Sequence, residues 1–320
     1  MPEWKNNIAK ITIPTPFAVG DVNAYLIKGD RLALVDTGPK TDEAWAALNK
    51  QLADLGYAPD DIEMAVLTHD HPDHAGLLDY FPQTLDVHGH RLNERWINRT
   101  DEFLTMHDRF YLGLFDEFGI PESFHRLAGQ LKKSLKFSCN RSLTGELSEG
   151  DTLPGLEDWR VIETPGHAQS HVSLYREKDG VLLAGDHVLA HISPNPLLEP
   201  PINEGEERPM PQLQYNHSLA KLRDYPIGLV YTGHGTEVSK LPELIERRLT
   251  RQHERAMSVK EMLKDGPKTV FDLCRQLFPA AFERELGLTL SETAGQLDYL
   301  QSLGEIEFSF ESKTKYYRVR

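Results

Sequence analysis

The stretch Thr68-His69-Asp70-His71-Pro72-Asp73-His74-Ala75-Gly76 limits what this chain can be, because it sets three imidazoles and two carboxylates within six positions. Packing does not account for such a run, since apolar burial uses none of the ring nitrogens or carboxylate oxygens. Imidazole nitrogen and carboxylate oxygen are the ligand types of borderline metals such as zinc. The apolar run Met64-Ala65-Val66-Leu67 before it reads as a buried strand. Pro72 bars a helix before itself and suits the first turn of one, so the signal is strand, loop, helix start. His69 and His71 are then expected on the loop and Asp73 and His74 on the first helical turn, with the two pairs facing one concavity as two adjacent metal sites. The competing reading makes Asp73 an N-cap or first-turn charge and leaves the histidines in a solvated loop.

This H-x-H-x-D-H string after a strand resembles the signature of the metallo-β-lactamase-fold hydrolases, which include lactamases, glyoxalase II-type thioesterases, lactonases and ribonuclease Z-like nucleases. Later matches follow in order: His167 in Thr164-Pro165-Gly166-His167, Asp186 in Ala184-Gly185-Asp186, and His234 in Thr232-Gly233-His234-Gly235. The resemblance spans 7–240 and implies an α/β fold, the αββα sandwich. It also implies that one metal takes His69, His71 and His167, a second takes Asp73, His74 and His234, and Asp186 bridges them. Zinc, two ions per chain, is the favoured metal, and iron or manganese suits the same ligand types. The set holds no thiolate, which is similar to the thioesterase, lactonase and nuclease branches. Asp73 has in the family a further, catalytic role in steering the proton of the attacking water, although a pure ligand role fits the sequence equally. The family also places an aspartate where Asp36-Thr37-Gly38 stands. Asp36 either orients a ligand histidine through its free ring N–H or simply forms the turn.

Two cations about 3.5 to 4 Å apart lower the pKa of a water between them towards about 7 and polarise the oxygen of the group it attacks. The expected activity is hydrolysis of a small ester, thioester or lactone. Lactonases of this family that open acyl-homoserine lactones place a tyrosine three residues beyond the bridging aspartate; here that position is Leu189, so lactonase falls in rank. A metal-dependent ribonuclease or phosphodiesterase is the second reading, suggested by the C-terminal segment. A non-catalytic binding or redox protein on the same fold is the third, and the complete ligand set opposes it.

Around the motif, 8–13, 22–27 and 31–35 read as a β-meander, 41–55 as an amphipathic helix capped by Thr41 and stopped by Gly56, and 84–88 as a strand. His88 and His90 near that strand end read as solvated or structurally bonded histidines. A helical insertion is expected at about 91–137, where Phe103, Met106, Phe110, Leu114 and Phe118 recur at three- or four-residue steps. These aromatics pack helix against sheet in the preferred reading, and line an apolar pocket over the site in the other. Strands are expected at 159–163, 171–175, 181–184 and 227–231, three of them leading to His167, Asp186 and His234. The proline-rich 193–211 is too broken for regular structure. Beyond a boundary at 240/241, helices at 241–264, 270–277 and 291–303 and strands at 305–310 and 315–319 form a winged-helix-like domain, as in relatives resembling the lactamase-β-like 2 ribonuclease.

A formal charge of -14 opposes polyanions, so nucleic acid or an anionic membrane needs a local basic patch. The segment 251–320 holds 11 Lys plus Arg against 11 Asp plus Glu. Its helix 291–303 carries two acids and no base, so dimerisation or covering of the site, with no nucleic-acid reading, is expected of it. Small-molecule substrates are the expected partners. Cys139 and Cys274, without a short C-x-x-C pair, argue against a disulfide scaffold and a cysteine-zinc site. No apolar run approaches about 18 residues and the N-terminus has no basic start before a long apolar stretch, so a cytoplasmic location is expected.

Overall fold

A strand buried on both faces needs apolar residues without alternation, and a strand buried on one face needs a period of two. Both patterns occur in this chain. The structure is a computed structural model that describes residues 2–125 and 132–320. Two compact units divide it, one built from Met1–Arg99, Ser134–Pro194 and Ser218–Pro242, the other from Thr100–Lys133, Asn195–His217 and Glu243–Arg320.

In the first unit, β1 (Trp4–Lys5), β2 (Ile8–Ile13), β3 (Val22–Lys28), β4 (Leu32–Val35), β5 (Met64–Leu67), β6 (Asp86–His90) and β7 (Gly145–Leu147) lie side by side in chain order. The sheet is antiparallel up to β4 and parallel from β4 to β7. A second sheet runs in the order β12 (Leu229–Tyr231), β11 (Val181–Leu183), β10 (Val172–Arg176), β9 (Leu156–Glu163) and β8 (Thr152–Leu153). Here β11 and β12 alone are parallel. Ile27, Val35 and Val66 of the first sheet share one buried cluster with Trp159, Val161 and Leu174 of the second. Their neighbours Leu26, Leu34, Ala65 and Leu67 turn to the opposite face and bury Leu48 and Leu52 of helix α1 (Asp42–Asp54). The uninterrupted apolar runs of β4 and β5 thus belong to strands covered on both sides, in an α/β sandwich.

Local signals fix the ends of α1. The Thr41 hydroxyl accepts from the Ala44 N–H at 3.1 Å, and Gly56 takes φ +85 beyond the last turn, where a β-carbon would be strained. Pro72 opens α2 (Pro72–Ala75), and α3 (Asn93–Asn98) completes the helices that lie wholly within this unit. The expected strand at 84–88 runs two residues later. Its pairing with β5 begins only at Asp86, opposite Met64.

The second unit contains α4 (Asp101–Glu117), and α5 (Pro211–Lys221) follows the proline-rich stretch. Then come α6 (Leu241–Met262), α7 (Val270–Leu277), α8 (Leu286–Ser302) and the hairpin β13 (Ile306–Glu311) with β14 (Thr314–Val319). The expected insertion at 91–137 is divided: α3 belongs to the first unit and α4 to the second, while 126–131 lies outside the described residues. Its buried aromatics Phe115 and Phe118 pack within the second unit, in a cluster that also holds Ile306 and Tyr317 of the β13–β14 hairpin. Leu114, Phe115 and Phe118 are buried with Val270 and Leu273 of α7 and with Leu290, Leu297 and Leu300 of α8. Helix α8 begins five residues ahead of the expected start, as Leu286 and Leu290 extend its buried stripe. Helix α5 is not among the expected elements: Pro211 marks its first position, but its buried Tyr215 and Leu219 are too few for a clear period. Both cysteines are free and buried, and burial pushes the Cys139 thiol up to about 12. Among the described residues no helix is long and apolar enough to cross a membrane.

Candidate metal centre

Parallel pairing sends neighbouring strands out of the sheet at the same edge, and here it collects the candidate residues. Asp36 follows β4, and the motif 68–76 follows β5, its parallel neighbour. Asp186 and His234 follow β11 and β12, which are in register at Leu183 and Tyr231. The two exits are tied by the Gly233 N–H donating to the Gly185 carbonyl at 2.7 Å. His167 stands in the connection from β9 to β10. A β-carbon at Gly233 would collide with Asp186 Oδ1, and Gly185, at φ +46, lies against the Thr68 hydroxyl; both turns therefore require glycine.

All seven expected donors are brought together. They form three groups, His69 with His71 and His167, His69 with His74 and Asp186, and Asp73 with His74 and His234, each with its donor atoms within 4.8 Å of one another. His71 Nδ1 lies 3.0 Å from both His69 Nε2 and His167 Nε2. His234 Nε2 lies 3.3 Å from Asp73 Oδ2. Asp186 sits between the groups: Oδ1 is 3.5 Å from His74 Nε2, and Oδ2 is 3.5 Å from both His167 Nε2 and His234 Nε2. The edge of a tetrahedron with bonds of about 2.1 Å is about 3.4 Å, so these separations suit donors around a common ion. His74 Nε2, His234 Nε2 and Asp186 Oδ1 are buried without a hydrogen-bond partner. Such orphaned atoms cost free energy unless something absent from the chain engages them.

The outer nitrogens show which tautomers are prepared. The Asp36 carboxylate accepts from the Thr68 N–H, the Thr68 hydroxyl and His74 Nδ1, each at 2.8 Å. Because the Thr68 proton is spent on Asp36, its oxygen accepts from His69 Nδ1 at 3.0 Å. His234 Nδ1 donates to the Asp21 carbonyl at 2.8 Å. In His69, His74 and His234 the bonded Nδ1–H leaves the Nε2 lone pair for the centre. Asp36 is therefore the orienting residue of the two roles open to it.

Burial and mutual charge set the protonation of the donors. Desolvation, reinforced by its histidine neighbours, holds His69 well below the usual range and brings His71 down to about 3. Desolvation also acts on His74 and His234, but the Asp186 carboxylate outweighs it, with Asp36 aiding at His74; His74 is raised well above its usual value and His234 to about 10. Burial pushes the two carboxyls up, yet the facing histidines hold Asp73 and Asp186 low.

His88 and His90 stand apart from the centre, and His90 Nε2 faces Glu163 at 3.6 Å. Sequence reasoning missed His171. Its Nε2 accepts from the Asp186 N–H at 3.2 Å, so its Nδ1–H donates to the Thr164 hydroxyl at 2.8 Å. A histidine at a strand start carries no spacing signal that would have singled it out.

A family profile described as the metallo-beta-lactamase superfamily matches residues 18–234. The chain is 45% identical over 313 residues to the "Probable metallo-hydrolase YqjP" of Bacillus subtilis (strain 168), across 98% of each chain. It is 26% identical over 272 residues to the "Beta-lactamase-like protein 2 homolog" of Caenorhabditis elegans, covering 83% of this chain and 73% of that one. The solved structure of a metallo-beta-lactamase family protein from Thermus thermophilus matches with a TM-score of 0.82 and 30% identity over 99% of both chains. A beta-lactamase domain protein from Burkholderia ambifaria, at a TM-score of 0.80 and 20% identity over 99% and 94%, shares the fold.

Proposed function

The chain belongs to the metallo-beta-lactamase superfamily of metal-binding hydrolases, and from that premise we propose that it is a dinuclear hydrolase of a small ester, thioester or lactone. His69, His71 and His167 would hold one ion, Asp73, His74 and His234 the other, and Asp186 both, with zinc favoured for a nitrogen and oxygen donor set. The observation that carries this reading is the convergence of donors among which His74 Nε2, His234 Nε2 and Asp186 Oδ1 are buried with no hydrogen-bond partner in the protein. When bound, the pair of ions supplies an activated water and polarises the scissile carbonyl. The rest is the work of the chain. Asp36, Thr68 and the Asp21 carbonyl fix the ring tautomers. Asp73 is the carboxylate we assign to accept the proton of the attacking water.

A small uncharged or acyl substrate fits the acidic chain better than RNA does. Helix α8, which holds the place of a recognition helix in a winged-helix-like domain, buries 12 of its 17 residues and carries no base. Elemental analysis of protein purified without chelator is expected to give close to two ions per chain. His74→Ala or Asp186→Ala is expected to lower turnover of chromogenic esters and thioesters at least about 100-fold, because each removes a donor that positions the ions. A stoichiometry that stays at one after loading with zinc or manganese overturns the dinuclear assignment. Full activity in both variants overturns the mechanism.

A further inference from the structure

The three histidines of one group, His69, His71 and His167, come from two loops far apart in sequence, and those loops are joined by a bond that involves none of the donors. Asp70 stands between His69 and His71 and belongs to none of the donor groups. Its Oδ1 accepts from the Ser170 hydroxyl at 2.5 Å, and Ser170 lies three residues beyond His167. Both residues are buried, Asp70 at 6% exposure and Ser170 at 1%. A hydroxyl donating to a buried carboxylate makes a short, charge-assisted bond that costs the full desolvation penalty when one partner is lost. A second rung runs beside it, from the Val172 N–H to the Thr68 carbonyl at 2.8 Å. The rungs at 68 and 70 on one loop, and at 172 and 170 on the other, bracket His69 and His171, whose rings lie 4.9 Å apart.

The two halves of the centre are secured differently. His74 and His234 each carry a hydrogen bond on the outer nitrogen, to Asp36 and to the Asp21 carbonyl, and in the three-histidine half His69 carries one to the Thr68 hydroxyl. His71 turns its Nδ1 inward and, among the described residues, its Nε2 has no hydrogen bond; its place depends on the backbone at Asp70 and on the fixed φ of Pro72. We propose that the Ser170 to Asp70 bond is a positioning clasp that sets the spacing between the His69–His71 loop and the His167 loop, and thereby governs metal affinity at the three-histidine half alone. The proposal rests on the dinuclear reading above and adds to it a residue pair that discriminates between the two ions.

The test uses the full-length protein stripped of metal and titrated with zinc against a chromogenic chelator, with cobalt uptake followed by visible absorption. Wild type is expected to show two binding steps. In Ser170→Ala and Asp70→Ala one step is expected to weaken about 10- to 100-fold, the size of effect known for partners that orient ligands, while the other step keeps its affinity. The double variant is expected to be no worse than either single one. In cobalt, the absorption of the three-histidine half should be the one lost. Two unchanged steps in Ser170→Ala overturn the clasp. So does equal weakening of both steps with a lowered melting temperature of the metal-free protein, which would mark a general structural role. A wild type that takes up one ion overturns the dinuclear reading, and the clasp's selectivity with it, through a different signature.

Discussion

Asp36 holds a backbone φ of +59, a region that costs a non-glycine residue about 1–3 kcal/mol unless its surroundings determine it. Aspartate and asparagine tolerate it best. The conformation aims one carboxylate at Thr68 and His74 together, so strain in one residue fixes two rings. Asp36→Asn keeps the backbone tolerance but turns an amide donor towards a donor. Its metal affinity is expected to fall about 10- to 100-fold with little change in melting temperature, measured by chelator competition. Protonation gives a second prediction. His74 and His234 are raised and carry protons in the metal-free protein at pH 7, whereas His71, at about 3, and His69 do not. Ions must displace those two protons, so zinc added at pH 7 in weak buffer is expected to release them, and uptake is expected to weaken as pH falls. A dye that reports no acid release would contradict this. Of the seven expected donors, those in the run 69–74 were legible because five metal-binding side chains in six positions have no packing explanation, whereas His167, Asp186 and His234 were picked out by the resemblance of their short motifs to the family's. Asp70, Ser170 and His171 were not legible. Their roles depend on how β10 lies beside the metal loop, which no spacing within either segment encodes.

Among the elements, the strands that feed the centre were the clearest part of the sequence. The strands β2, β5 and β11 were expected within a residue or so of where they lie, since their apolar runs are short and bounded by turn residues. Boundaries failed where a neighbour decides them: β6 by its pairing, α8 by two leucines that only the cluster with α4 and α7 makes useful. The loops after β11 and β12 are more demanding than their sequences suggest. Gly233→Ala would drive a methyl into Asp186 Oδ1 while leaving every donor in place. It is expected to lower metal occupancy and to cost at least about 1–3 kcal/mol of stability, the usual range for a forced fit, read by elemental analysis and denaturant unfolding. Wild-type occupancy with an unchanged unfolding midpoint would show that the turn relaxes freely.

At the scale of the molecule, net charge argues against polyanions and burial argues against groove reading. Full-length protein mixed with labelled RNA or duplex DNA is expected to show no micromolar binding at moderate salt, with any association at low salt confined to the basic tail Lys313, Lys315, Arg318 and Arg320. Micromolar, salt-sensitive binding would favour a nuclease. The apolar pattern of the second unit was visible in the sequence, but its membership was not, because segments 100–133, 195–217 and 243–320 come together only in three dimensions. That interleaving matters during synthesis. Phe115 and Phe118 leave the ribosome long before Leu297 and Leu300 of α8, members of the same buried cluster, have been translated. For that interval these aromatic side chains lack the later partners of their cluster, and apolar surface left uncovered in this way favours misassembly of a chain still being made.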